Sequence, residues 1–180
     1  MIRFTLTFLF LLAAPFLRAG GVSDVAIAAQ RAWRAGDGET VIQLAHPKLI
    51  SRIAELQQAW LEQEAKGIGF RPWVKFPPNA PSIEHFRALT PSDKARSFFA
   101  CMHGILSDHA KFTFAFDAED EVVTGDSATV TVVEHQRGPD GANRDVRYDF
   151  VLERIGNRWA YVSGGSERMH VDTQLMLLAP

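Results

Sequence analysis

A second cysteine is missing from this chain. Cys101 stands alone, so an internal disulfide framework is excluded. Beside the apolar face of a helix, Cys101 reads as a buried packing residue, with a nucleophile or an intermolecular link as the sharper alternatives. Runs of five or six lysines or arginines are also missing, and a net charge of -2 is spread over interspersed acids and bases. That leaves no electrostatic footprint for nucleic acid, and no nucleic-acid partner is expected. Nucleophile elbow, phosphate loop, Cys-x-x-Cys pair and dinucleotide fingerprint are absent as well, because the glycines at 138 to 141 and 163 to 166 sit in turns that no helix follows. No cofactor is expected. The six histidines lack metal-ligand spacing. His103 and His109 are separated by about 240° around a helix, and His46, His85, His135 and His170 are scattered, so no metal site is expected.

What is present is a chain of 180 residues, 47% of them apolar, enough for one domain with a core of useful size. Residues 1 to 20 stand apart. Arg3 gives a positive start, residues 4 to 14 are apolar apart from two threonines, and Pro15 with Ala19, Gly20 and Gly21 supplies a breaker and small residues. The pattern is that of a secretory signal, too short for the roughly 20 apolar residues of a spanning helix, and it predicts export to a periplasm or the exterior with no stable transmembrane segment after processing. The single domain then runs over 21 to 180.

Periodicity predicts its elements. Val22, Ala26, Ala29 and Trp33 form the stripe of a first helix, capped by Ser23 or Asp24 and stopped at Gly36-Asp37-Gly38. A short helical piece over 39 to 45 leads to His46-Pro47, where a long helix starts, with Leu49, Ile53, Leu56 and Trp60 in one sector. Residues 67 to 82 form a proline-rich arm around Phe70, Trp73 and Phe76, a lid or a packed strap. Thr90-Pro91-Ser92-Asp93 starts another helix. It places Ala95, Phe98, Phe99, Met102, Ile105, Leu106 and His109 on one face, expected to lie directly on a sheet, and Ser97 among the residues opposite. A strand over 111 to 116 carries Phe112, Phe114 and Phe116 on one side and ends in an acidic turn, 117 to 121. Residues 126 to 163 then alternate with period two as three antiparallel strands joined at Gly138-Pro139-Asp140-Gly141 and Ile155-Gly156-Asn157. A flexible Ser-Gly-Gly-Ser joint leads to an apolar tail, 164 to 180, that packs back on the domain or docks on a second subunit.

The fold class is therefore α+β, with N-terminal helices packed on a curved antiparallel sheet of about four strands. Ala32-Trp33-Arg34-Ala35-Gly36-Asp37, the entry Gly125-Asp126-Ser127-Ala128-Thr129-Val130, and the hairpin from Phe150-Val151-Leu152 to Trp159-Ala160-Tyr161-Val162 carry a resemblance to the nuclear-transport-factor-like superfamily. Its cone-shaped α+β rolls include ketosteroid isomerase, scytalone dehydratase and polyketide cyclases. The resemblance covers about residues 22 to 163. It implies an apolar cavity between helices and concave sheet, with a few inward polar groups, and no particular reaction. The long helix after Pro47 and the arm that follows depart from the compact members.

Candidate residues follow from position. His109 could serve as a base lining the cavity, or as a satisfied structural group. Asp117 and Glu134 are the carboxylates expected to face inward, Glu134 paired with Arg147 or Arg154. Tyr148 and Tyr161 are candidate hydrogen-bond donors. Trp73, Phe99, His109, Phe114 and Glu134 are the expected ligand contacts, whereas Trp33, Trp60 and Trp159 read as core. The leading functional reading is an exported, non-catalytic domain that binds a small apolar ligand or a protein partner in the cell envelope. A homodimeric interaction module, and an isomerase, dehydratase or cyclase using His109 or a carboxylate as base, are the alternatives.

Overall fold

The computed structural model describes residues 21–68, 74–106 (backbone alone for 103–106), 112–165, 171 and 174. The expected signal, Trp73, His109 and most of the tail lie outside the described residues. Among the described residues, five helices precede a four-stranded antiparallel sheet of order β1-β2-β3-β4, an α+β arrangement with these helices N-terminal to the sheet.

Helix α1 (Val22–Ala35) begins one residue before its expected caps. Asp24 instead reaches back to accept the Gly21 N–H at 3.0 Å, and Gly36 ends the helix in the left-handed region at φ 68°. Asp37 caps α2 (Gly38–Leu44) through the Thr40 N–H. His46 caps α3 (Pro47–Ala65), its Nδ1 accepting from the Lys48 N–H at 3.1 Å, with Pro47 preset at the first helical position. The same residue donates its backbone N–H to the Tyr161 carbonyl at 2.8 Å, so the start of α3 covers part of the β4 edge. Helix α4 (Ile83–Arg87), which no sequence pattern announced, buries Phe86. Thr90 and Asp93 cap α5 (Pro91–Leu106) as their spacing predicts.

The sheet consists of β1 (Thr113–Thr124), β2 (Ser127–Arg137), β3 (Asn143–Ile155) and β4 (Arg158–Gly164). The acidic stretch 117 to 121 is not a turn. It continues β1 through a bulge between Glu119 and Val122, where Asp120 takes φ 51°, a conformation that a short polar side chain tolerates better than most. The Ser-Gly-Gly segment is likewise not a free joint. Gly164 ends β4 at φ 128°, and a Cβ there would lie 2.6 Å from the Phe150 Cα. Close backbone contact, not flexibility, is the reason for glycine at that position.

Helix α1 lies on the sheet, against β2, β1 and β4, while α3 and α2 meet it at β4; α5 packs on α3 and α2 instead. A 3.6-residue stripe specifies that a face is buried but not what buries it, and this is why the expectation for α5 failed. Ser97 shows the same failure, being buried with its hydroxyl 3.3 Å from the Gln57 amide nitrogen. Between α1, α3 and α5 sits an aromatic cluster: Trp33 edge-on to Phe99 at 4.9 Å, and Phe98 stacked between Trp33 and Trp60 at 6.2 and 5.5 Å. Val171 is fully buried in the core, so the chain after β4 returns to this domain at that point. Cys101 is half-buried, its sulfur 3.5 Å from the Gln57 amide.

Candidate functional site

Sheet pleat decides which polar groups face α1. Phe116, Glu134 and Val146 form one cross-strand row on the inner face, and Phe114, Gln136 and Arg144 form the next. Glu134 is fully buried, as its alternation with Val130 and Val132 predicts. Its partners are not those expected. Arg147 pairs with Glu119 at 3.4 Å and Arg154 lies over the Trp159 ring at 4.7 Å, both away from it. Glu134 instead accepts from Arg34 Nε at 2.8 Å and Gln30 Nε2 at 2.6 Å through one oxygen, and from Gln136 Nε2 at 2.6 Å through the other. Arg34 also donates from Nη2 to the Tyr148 hydroxyl at 2.7 Å. Gln30 and Arg34 are one helical turn apart on α1, so both reach the same carboxylate. Nothing in the sequence near residue 134 signals residue 34.

Beyond the last turn of α1, no helix among the described residues covers the inner face of the sheet. A half-open cleft of about 530 Å³ lies there, lined by Arg34, Phe112, Phe114, Gln136 and Arg144, with the β2–β3 hairpin as its far wall. Phe112, Phe114 and Phe116 stack successively at 6.4 Å along one side, as their alternation predicts. Arg34 lies over the Phe114 ring at 5.5 Å. A volume of this order suits a small ligand.

Of the expected site residues, Phe114, Glu134 and Tyr148 are brought together here, joined through Arg34. Tyr161 is buried elsewhere in the core against Phe150. Phe99 is core, packed on Trp33 and Phe98. Asp117, expected to face inward, lies on the outer face with its side chain 78% exposed. It is the terminal member of a cross-strand set in which His135 holds Asp145 at 2.8 Å through Nδ1 and Asp117 at 3.1 Å through Nε2. Its place one residue from Phe116 fixes the outer face, because neighbours in a strand point to opposite sides.

The hydrogen bond to Asp145, with the charge of that residue and the contact with Asp117 adding to it, raises the His135 pKa above the ordinary value of 6.5. A raised folded-state pKa contributes stability that is complete below the unfolded value and is lost as pH rises through the folded one. The wild-type melting temperature should therefore fall relative to that of His135→Gln as pH rises from 6 upward. Parallel curves for the two proteins across that window would contradict the assignment. Among the described residues no group of three or more His, Cys, Asp and Glu side chains is placed to hold a metal ion. No described helix is long and apolar enough to cross a membrane.

Fold and site together define an α+β domain with a cleft on the sheet face beyond the last turn of α1. No protein-family model and no curated protein matches the chain. A solution structure of a SEC-C motif containing protein from Rhodopseudomonas palustris is similar at 10% sequence identity and a TM-score of 0.35, over 74% of this chain and 69% of that one.

Proposed function

We propose that this chain is an exported domain of nuclear-transport-factor-like type that binds a small, largely apolar ligand without transforming it. The observation that carries the reading is the 530 Å³ cleft walled by Phe112 and Phe114. Phe112 keeps 39% of its surface exposed, which is surface a ligand would cover. Against an enzyme stands the state of Glu134, the one inward carboxylate of those expected. It is sealed from solvent, and both oxygens already accept N–H groups from Gln30, Arg34 and Gln136, so it anchors the network and does not meet a substrate. The leader-like first twenty residues support export.

The test is Nile red, an uncharged apolar dye, titrated into wild-type protein and into Phe112→Ala. Saturable emission enhancement is expected for the wild type. In the variant the dissociation constant should rise about tenfold, the effect of losing roughly half the burial of one phenyl ring. No enhancement in folded wild-type protein, or equal affinities, would remove the basis of the proposal.

A further inference from the structure

Unused hydrogen-bonding capacity at the cleft carries the ligand class one step further. This step rests on the cleft being the binding site. Arg34 has Nε on Glu134 and Nη2 on Tyr148, which fixes the guanidinium plane, while Nη1 makes no hydrogen bond among the described residues. Arg34 keeps only 14% of its side chain exposed, so this unused edge is held in place and not waving in solvent. Arg144, two residues along the same inner face from Val146, also lines the cleft, and its side chain has no ion pair or hydrogen bond among the described residues. Asp140 also lines the cleft, and its carboxylate and that of Glu134 already accept N–H groups. Asp140 turns one carboxylate oxygen back onto the Ala142 N–H at 3.0 Å, and the Glu134 oxygens are filled. Of the last α1 carbonyls, those of Ala32 and Trp33 accept the N–H groups of Asp37 and Gly36. The cleft thus offers surplus planar donors next to stacked phenyl rings.

We infer that the ligand is an aromatic carboxylate, its ring against Phe112 and Phe114 and its carboxylate between the Arg34 Nη1 edge and the Arg144 guanidinium. A guanidinium fork matches the planar two-oxygen geometry of a carboxylate, and an ionised acceptor strengthens each bond. The phenyl rings accept a flat apolar body. Glu134 then has a second consequence: by fixing Arg34 before a ligand arrives, it reduces the ordering that binding would otherwise require.

The experiment is isothermal titration of the full chain with 2-naphthoate and with its uncharged analogue 2-naphthalenemethanol, using wild-type protein and Arg144→Gln. Arg144 is exposed and its side chain makes no ion pair or hydrogen bond among the described residues, and circular dichroism of the variant verifies its fold. Wild-type protein should bind naphthoate at least fivefold more tightly than the alcohol. Arg144→Gln should weaken naphthoate by roughly fivefold to tenfold and leave the alcohol unchanged, as loss of one charge-assisted contact does. Equal affinities for acid and alcohol, or an Arg144→Gln protein that binds naphthoate normally, would overturn the carboxylate assignment while the cleft remains a binding site. Failure of both compounds to bind folded wild-type protein would overturn the cleft reading and this inference with it.

Discussion

Replacing Arg34 by methionine should lower the stability of the domain by about 3 to 5 kcal/mol, the usual cost of breaking a buried ion pair from one side. The argument rests on what is left behind. Glu134 is fully buried on the sheet face beneath α1, and without Arg34 its charge would retain only the amide donors of Gln30 and Gln136. Two neutral hydrogen bonds do not replace a guanidinium that is itself 14% exposed and paired at 2.8 Å. Methionine keeps the aliphatic reach of arginine, so the loss measures the charge more than the packing. For a domain of this length the change corresponds to a fall in melting temperature on the order of 10 °C. The double variant Arg34→Met/Glu134→Leu should be more stable than Arg34→Met alone, because no charge is then stranded. Some loss should persist, since the Gln30 and Gln136 amides lose an acceptor. Denaturant unfolding of the wild type, both single variants and the double variant would measure the coupling. Additive losses would mean that the two charges do not stabilise one another.

Trp33→Ala should be comparably damaging, at about 3 to 5 kcal/mol, for a reason of packing rather than charge. Trp33 is 3% exposed and is the α1 contribution to the aromatic cluster, edge-on to Phe99 and stacked with Phe98, which in turn stacks on Trp60 of α3. Residues 33 and 34 point about 100° apart around α1, so the helix sends one side chain into the helical layer and the next to the sheet. Removing the indole opens a cavity where three helices meet, and the surrounding rings cannot collapse into it without leaving their own contacts. Trp33→Phe should cost about half as much, because an aromatic ring remains to meet Phe98 and Phe99. A Trp33→Ala protein within 1 kcal/mol of wild type by denaturant unfolding would show that the cluster does not hold α1 to α5.

These two neighbours also illustrate what the sequence made legible. Local periodicity identified α1, α3, α5 and the three strands after residue 126, and alternation placed Glu134, Phe114 and Tyr148 on the inner face. Those inferences need only the pitch of a helix or the pleat of a strand. The partner of Glu134 was not legible, because Arg34 precedes it by a hundred residues and becomes its neighbour only once α1 lies across the sheet. Arg147 and Arg154 were nearer in sequence, yet Arg147 falls on the opposite face. The acidic run at 117 to 121 was misread for a related reason: a polar stretch resembles a turn, and a bulge that keeps the strand paired leaves almost no mark on composition. The cleft itself depends on where α1 stops relative to the ends of β1 and β2, a distance that no pattern within either element encodes.

The most direct test of the central claim is the location of an apolar probe on the folded protein. Amide chemical-shift mapping with Nile red should move resonances of residues 112, 114, 136, 138, 140, 142 and 144, which line the cleft. Val122, Val123 and Val151 are also exposed, at 58%, 49% and 39%, and offer the dye a second apolar surface away from it. Saturable shifts confined to the first set are the predicted result. Shifts confined to the valines, with the residues that line the cleft unmoved, would contradict the assignment of the cleft as the binding site.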